Sequence, residues 1–302
     1  MSSEYQSLPP ATRQAAMSAA EALAPEQSVD EVRESLSVTE KGQPANTIGN
    51  CRTVFCHDPL LRGAIRLNLL TDRVDIVRDL GWRRNTSALT DTDVKYLLLY
   101  FEQNYGLTSE KKMTAALSIV ANENCYHPIQ DVLNGLVWDE TPRIRSCLHH
   151  FLGAEVSDYV EEMLKHFLLG AIRRVFSPGS KYEEMLCLVG GQGAGKSSFF
   201  RLLAIRDEWF SDDLKKLDDD RVFLKLQGHW IIEMSEMLAT SSAKSIEEIR
   251  SFISRQKETY RTPYEAQPKD RLRQCVFGGS SNTLDFLPPV SYTHLRAHET
   301  RR

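Results

Sequence analysis

Met185–Ala204 reads MLCLVGGQGAGKSSFFRLLA. Its first five residues, Met185–Val189, are an uninterrupted apolar run of the kind carried by a parallel strand buried on both faces. Its last nine, KSSFFRLLA, read as the opening turns of a helix. Between them, Gly190–Ser197 fits G-x-x-x-x-G-K-[ST] at every defined position. Glycines let consecutive backbone N–H groups turn inward around phosphate oxygens, and the helix that follows adds its positive N-terminal end. The expected cradle is Gly190, Gly191, Gln192, Gly193, Ala194, Gly195, Lys196, Ser197 and Ser198. Lys196 is expected to neutralise β- and γ-phosphate charge and Ser197 to ligate a metal ion. The cofactors this implies are ATP and Mg2+.

Such a loop needs an acid to hold the metal and orient water. His229–Met237, HWIIEMSEM, supplies a second apolar strand, Trp230–Ile232, ending in Glu233 with Glu236 three residues on. The C-terminal end of a strand is where α/β proteins place ligand-binding groups. Glu233 is expected in the Mg2+ shell and Glu236 on the attacking water, or the reverse. A third strand, QCVFGG at Gln274–Gly279, runs into SSN. Asn282 there can hydrogen-bond both a γ-phosphate and the water. Taken alone, the first stretch would be a strand end before a solvated helix start, and SSNT a turn. The order of loop, acid and polar sensor (Lys196, Glu233, Asn282) favours chemistry.

Between acid and sensor, KSIEEIRSFISRQ places Ile246, Ile249 and Ile253 on one face of an amphipathic helix. After it, KETYRTPYEAQPKDRLR interleaves Tyr260 and Tyr264 with Arg261, Lys269, Arg271 and Arg273. That mixture suits single-stranded nucleic acid, bases stacking on rings and phosphates pairing with cations. It suits a solvated charged loop equally well.

The remainder sets the domain plan. Residues 1–45 are polar and Ala-rich, with one short candidate helix at Thr12–Leu23, and read as a tail or linker. Residues 46–126 read as mostly helical, with N-caps at Thr90 and Ser109. Residues 127–178 are a helical lead-in, in which Tyr159, Met163, Phe167 and Ala171 form a candidate buried face. Residues 179–289 hold the α/β segment. The composition, 41% hydrophobic and 26% charged, is that of a globular chain, and a net charge of −4 excludes a global basic coat for nucleic acid. The six cysteines are scattered, which suits a reducing compartment. Cys51, Cys56 and His57 lack the second ligand pair a zinc site needs. With no apolar run long enough to span a bilayer and no secretory pattern, no membrane partner is expected and the expected location is the cytoplasm.

YHPIQDVLNGLVWDETPRI (Tyr126–Ile144), GGQGAGKSSFFRLLA, GHWIIEMSEM, FISRQKETYRTPY and RQCVFGGSSN occur in this order. Together they resemble the virulence-associated protein E-like ATPases of phages, prophages and mobile islands, from about Asn50 to Pro288. Two departures stand out: Glu140 follows Trp138-Asp139 where glycine is usual, and GGSSN replaces the commoner GTTN. The family is similar to superfamily 3 helicases. The resemblance implies an α/β P-loop NTPase with an AAA+-type core, a mostly helical N-terminal region and self-association into a hexameric ring. It also implies ATP-driven work on single-stranded DNA, replication of a mobile element in a bacterial host, and a primase as neighbour. The alternatives are a P-loop ATPase that serves as a switch or loader without translocating, and a small-molecule phosphotransferase.

Ring ATPases of this type complete their site with an arginine from the adjacent subunit. In the resembled family, arginines shortly after the sensor strand are the natural candidates. Here SSNTLDFLP reaches that point and the text changes character. Val290–Thr300, VSYTHLRAHET, corresponds to one reading frame of a widely used transposase-based sequencing adapter. The native sequence is therefore expected to stop near Pro288, leaving a truncated core. On that reading Val290–Arg302, with His294, Arg296, His298, Arg301 and Arg302, is no metal site, basic tail or arginine finger. Weak or absent hydrolysis is expected of the truncated chain.

Overall fold

The computed structural model describes residues 27–214, 217, 222–235, 243–261, 267–282 and 299–300. The candidate helix Thr12–Leu23, Glu236, Tyr264 and all of the tail except Glu299–Thr300 lie outside them. The chain divides into two units at Pro128.

In the first unit, helices α1 (Val29–Ser35), α2 (Ile48–His57), α3 (Asp91–Tyr105) and α4 (Glu110–Glu123) accompany a hairpin of β1 (Ile65–Asn68) and β2 (Arg73–Ile76). Residues 28–45, read from composition as the end of a linker, are folded. Ser28 and Glu31 form a capping box on α1, and Val32 and Leu36 are buried in the core. Two inward-facing side chains in a polar segment are too few to register as a pattern. Thr90 caps α3 as expected, reciprocally with Asp93. Ser109 precedes α4 without a side-chain cap; its own N–H donates to Asn46 Oδ1 at 3.1 Å. Val54, Phe55, Leu97, Phe101, Met113 and Leu117 fill the core, with the Phe55 and Phe101 ring centroids 4.8 Å apart.

This unit buries three aspartates, each well supplied with donors. Asp58 accepts from the hydroxyls of Tyr100 (2.8 Å) and Tyr105 (2.5 Å) on Oδ2, and from the N–H groups of Leu60 and Leu61 on Oδ1. Asp75 accepts from Tyr126 and Asn68. Asp93 accepts from Trp82, Arg84 and Thr90, which hold its carboxyl below the usual range against the opposing effect of burial. Burial, with the aspartates beside them, raises the Tyr100, Tyr105 and Tyr126 phenols.

The second unit opens with α5 (Pro128–Asn134), α6 (Ile144–Leu152) and α7 (Asp158–Phe176). Between α5 and α6, Glu140 adopts a left-handed conformation, φ 64°, at the position where glycine is usual in the resembled family. The buried face of α7 is Val160, Leu164, Phe167 and Ala171, whereas Tyr159 is exposed. A strict four-residue spacing drifts off one face of a 3.6-residue helix; the true face alternates steps of four and three.

The sheet is all parallel, in the order β4 (Phe210–Ser211), β5 (Ile231–Glu233), β8 (Val276–Ser281), β3 (Met185–Gly190), β9 (Glu299–Thr300). Helix α8 (Lys196–Leu203) follows β3, α9 (Val222–Leu226) precedes β5, and α10 (Ala243–Ser254) follows it. A separate antiparallel hairpin, β6 (Lys257–Tyr260) and β7 (Lys269–Leu272), leads into β8. Ile249 and Ile253 of α10 are buried as the sequence pattern requires, Phe252 is buried with them, and the Ile246 side chain lies outside the described residues. The tail places Glu299–Thr300 against Val189 and Gly190 of β3. A two-residue pairing of this kind needs only main-chain groups, which any short extended segment can offer to a sheet edge.

Two contacts fix α8 and α7 on the sheet. A Cβ on Gly278 of β8 would lie 2.5 Å from the Phe200 ring, so only glycine lets α8 approach this closely. Arg174 of α7, fully buried, donates to five main-chain carbonyls: Cys275 and Tyr182 at 2.7 Å, Ser180 at 3.2 Å, Ile253 at 3.3 Å and Arg255 at 3.5 Å. Among the described residues no helix is long and apolar enough to cross a membrane.

Candidate functional site

The C-terminal ends of β3, β5 and β8 lie side by side, and the turn 191–195 joins the first of them to α8. Gly193 and Gly195 take φ values of 79° and 85°, a region that side chains strain to enter. The turn can therefore close tightly and start α8 at Lys196 with its first N–H groups directed outward. Helix α8 is anchored behind by Phe199 and Phe200, which pack in an aromatic run with Phe151 of α6 and Phe167 of α7.

Lys196 is almost wholly buried. Its Nζ donates to Gly190 O at 2.7 Å, Gly191 O at 2.9 Å and Asn282 Oδ1 at 3.2 Å. Burial lowers the Lys196 ammonium below its ordinary value, and the charge of Glu233 opposes that shift. One residue on, the Ser197 hydroxyl donates to Glu233 Oε1 at 2.8 Å. The same oxygen accepts from Ser280 Oγ at 2.5 Å. Glu233 is 1% exposed, and its other oxygen, Oε2, is buried with no hydrogen-bond partner among the described residues.

The structure thus brings together Lys196, Ser197, Glu233 and Asn282, four residues spread over 87 positions of sequence. A lysine, a hydroxyl and a carboxylate with one unsatisfied oxygen, beside outward-facing backbone N–H groups, form a donor set for a polyphosphate and a hard divalent cation. An unsatisfied buried carboxylate oxygen is costly unless something else supplies the missing partner. Ser280 is not among the residues the sequence motifs point to. The signal available was the inward strand register leading out of QCVFGG, which places Ser280 beside Glu233 rather than in a turn.

The nucleic-acid candidates fare differently from one another. Arg261 is exposed. The Tyr260 ring stacks on Phe223 of α9, centroids 6.1 Å apart, and carries the Arg271 guanidinium 4.5 Å from its centroid. A base stacking on Tyr260 has to compete with these two neighbours. Arg273 is a correction: it is 3% exposed and pairs inside the fold with Glu258, beside the Phe252 and Phe277 rings. Arg273, Cys275 and Phe277 share the alternation of a strand entering the core, and the cation follows it inward with its carboxylate.

The Virulence-associated protein E-like domain is matched over residues 133–290, just over half the chain and inclusive of every residue of this cluster. No curated protein matches. Two solved structures of the C-terminal region of NrS-1, in the A form without ligand, are similar to the chain. One is 15% identical, covering 72% of this chain and 53% of that one at a TM-score of 0.41. The other, of residues 305–718, is 14% identical, covering 79% and 58% at a TM-score of 0.44. The chain therefore spans little more than half the length of either.

Proposed function

We propose that this chain, which belongs to the virulence-associated protein E-like family, is a P-loop ATPase that binds ATP and Mg2+ at Gly190–Ser198. Its work is on single-stranded DNA, as the helicase part of a replication protein of a phage or mobile element, assembled as a hexameric ring and acting alongside a primase. One observation carries the nucleotide reading. Lys196 and Ser197, at the start of one helix, meet Asn282 and Glu233 at the ends of two neighbouring strands, and Glu233 keeps a buried oxygen without a donor among the described residues.

Each residue has a task that its position suits. The turn 191–195 and the first turn of α8 direct N–H groups at phosphate oxygens. Lys196 exchanges the carbonyls of its own loop for phosphate oxygens, and its ammonium supplies positive charge close to the transferring group. Ser197 and Glu233 would hold Mg2+, which when bound neutralises phosphate charge. Asn282, released from Lys196, is free to orient a water. Glu236, three residues beyond Glu233, is the candidate for activating that water.

Binding of a fluorescent ATP analogue, and whatever weak ATP turnover the chain retains with and without single-stranded DNA, test this. Wild-type chain should bind the analogue in a Mg2+-dependent way, and Lys196→Ala should abolish both binding and turnover. DNA should stimulate turnover. Binding that Lys196→Ala leaves intact would refute the nucleotide site. Hydrolysis that needs a small hydroxyl acceptor and ignores DNA would replace the motor with a phosphotransferase.

A further inference from the structure

The acid that holds the metal does not stand alone, and its second support comes from the sensor strand rather than the phosphate loop. Both hydroxyls that reach Glu233 donate to one oxygen: Ser197 at 2.8 Å and Ser280 at 2.5 Å converge on Oε1, while Oε2 has no partner among the described residues. A free carboxylate can rotate and share its donors between both oxygens. Two donors fixed on a single oxygen, one from the helix start and one from β8, set the plane of the carboxylate and leave the other oxygen as the uncommitted ligand. Ser280 is 7% exposed and Glu233 1% exposed, so water has little access with which to replace a lost bond.

We infer that Ser280 is a positioning residue for the metal: its hydroxyl holds Oε1 of Glu233 so that Oε2 faces the cation. The inference rests on the Mg2+–ATP reading of the cluster. With Mg2+ bound, Ser197 would also offer the metal a lone pair, whereas the Ser280 hydroxyl has no second task in this cluster. Ser280 is then the donor that keeps the carboxylate aimed. Two residues on, just past the end of β8, Asn282 accepts from Lys196, so one short stretch carries both the donor to Glu233 and the partner of Lys196.

The test uses the 302-residue chain and reads binding rather than turnover. Affinity for a fluorescent ATP analogue is titrated with Mg2+ in wild type, Ser280→Ala, Ser280→Cys and Ser280→Thr, with circular dichroism confirming the fold and Lys196→Ala as control. The Mg2+ concentration for half-maximal tight binding should rise about tenfold or more in Ser280→Ala, the usual cost of an outer-shell partner. The Mg2+-free affinity should stay unchanged, and Ser280→Thr, which keeps the hydroxyl, should restore most of the Mg2+ response. Ser280→Cys, close in shape but a weak donor, should resemble Ser280→Ala, and it carries the comparison if the alanine variant does not fold. An unchanged Mg2+ requirement in a folded variant overturns the inference while leaving the nucleotide site standing. So does a Mg2+-free affinity that falls equally in all three variants, which marks a packing role. Wild type that binds no analogue, or binds it as well as Lys196→Ala does, removes the nucleotide reading itself and the inference with it.

Discussion

Both units bury carboxylates, and they treat them in opposite ways. In the first unit Asp58 has two donors on each oxygen, two of them tyrosine hydroxyls and two main-chain N–H groups. In the second, Glu233 has two donors on one oxygen and, among the described residues, none on the other. The first arrangement is closed: nothing is left for a ligand to do, and the group ties α2 to α3. The second is open on one side. A buried acid with all its valences met is architecture, and one with a valence left over is a socket.

The sharpest way to break this contrast is to remove each acid in turn. Asp58→Ala leaves two tyrosine hydroxyls and two N–H groups without a partner in the core. It should cost about 3–5 kcal/mol, read as lost hydrogen-exchange protection in α2 and α3. Glu233→Gln should have the opposite signature. Its amide oxygen can still take both serine hydroxyls and the cost of burying a charge disappears, so the melting temperature should hold or rise. Mg2+-dependent nucleotide affinity should fall about a hundredfold. Equal destabilisation by both substitutions would erase the distinction.

A smaller effect acts on the first unit on the alkaline side. Burial, with Asp58 beside it, raises the Tyr105 phenol above its ordinary value of about 10. The unfolded chain therefore loses this proton near pH 10 while the folded chain keeps it. The contribution is fully present below about pH 10 and is lost above it, at about 1.4 kcal/mol per pH unit for one tyrosine. Denaturant unfolding at pH 9, 10 and 11, with Tyr105→Phe as reference, should show a shallower decline in the variant. The smallest change is at Glu140, held at φ 64°. Glu140→Gly should relieve that strain and stabilise the second unit by about 0.5–1 kcal/mol in thermal unfolding.

What could be read in advance followed the range of the interaction. Gly190–Ser197 was legible because its turn, lysine and hydroxyl are adjacent in sequence and each has a local conformational task. The strand leading into Glu233 and the one leading into Asn282 were legible from apolar runs, though β8 begins and ends two residues later than QCVFGG suggests. Ser280 was not, because its partner Glu233 lies 47 residues away and a serine after two glycines looks like a turn. Arg273 misled for the same reason in reverse. Among neighbouring cations and tyrosines it looked solvated, and only the inward Glu258 explains its burial. The folded segment after Ser28 escaped because polar composition outweighed two buried side chains.

Arg174 bears on how relatives of this chain are compared. Its guanidinium holds carbonyls from the end of α10, the segment after α7 and the approach to β8. Lysine cannot replace that planar fork of donors, so selection should tolerate no exchange there. In a family expected to use arginines against phosphate, an invariant arginine invites assignment as a catalytic finger. This one would be a false positive: its invariance would record the geometry of a clamp, while its neighbour Arg173, exposed and indistinguishable from it in the letters, would drift freely.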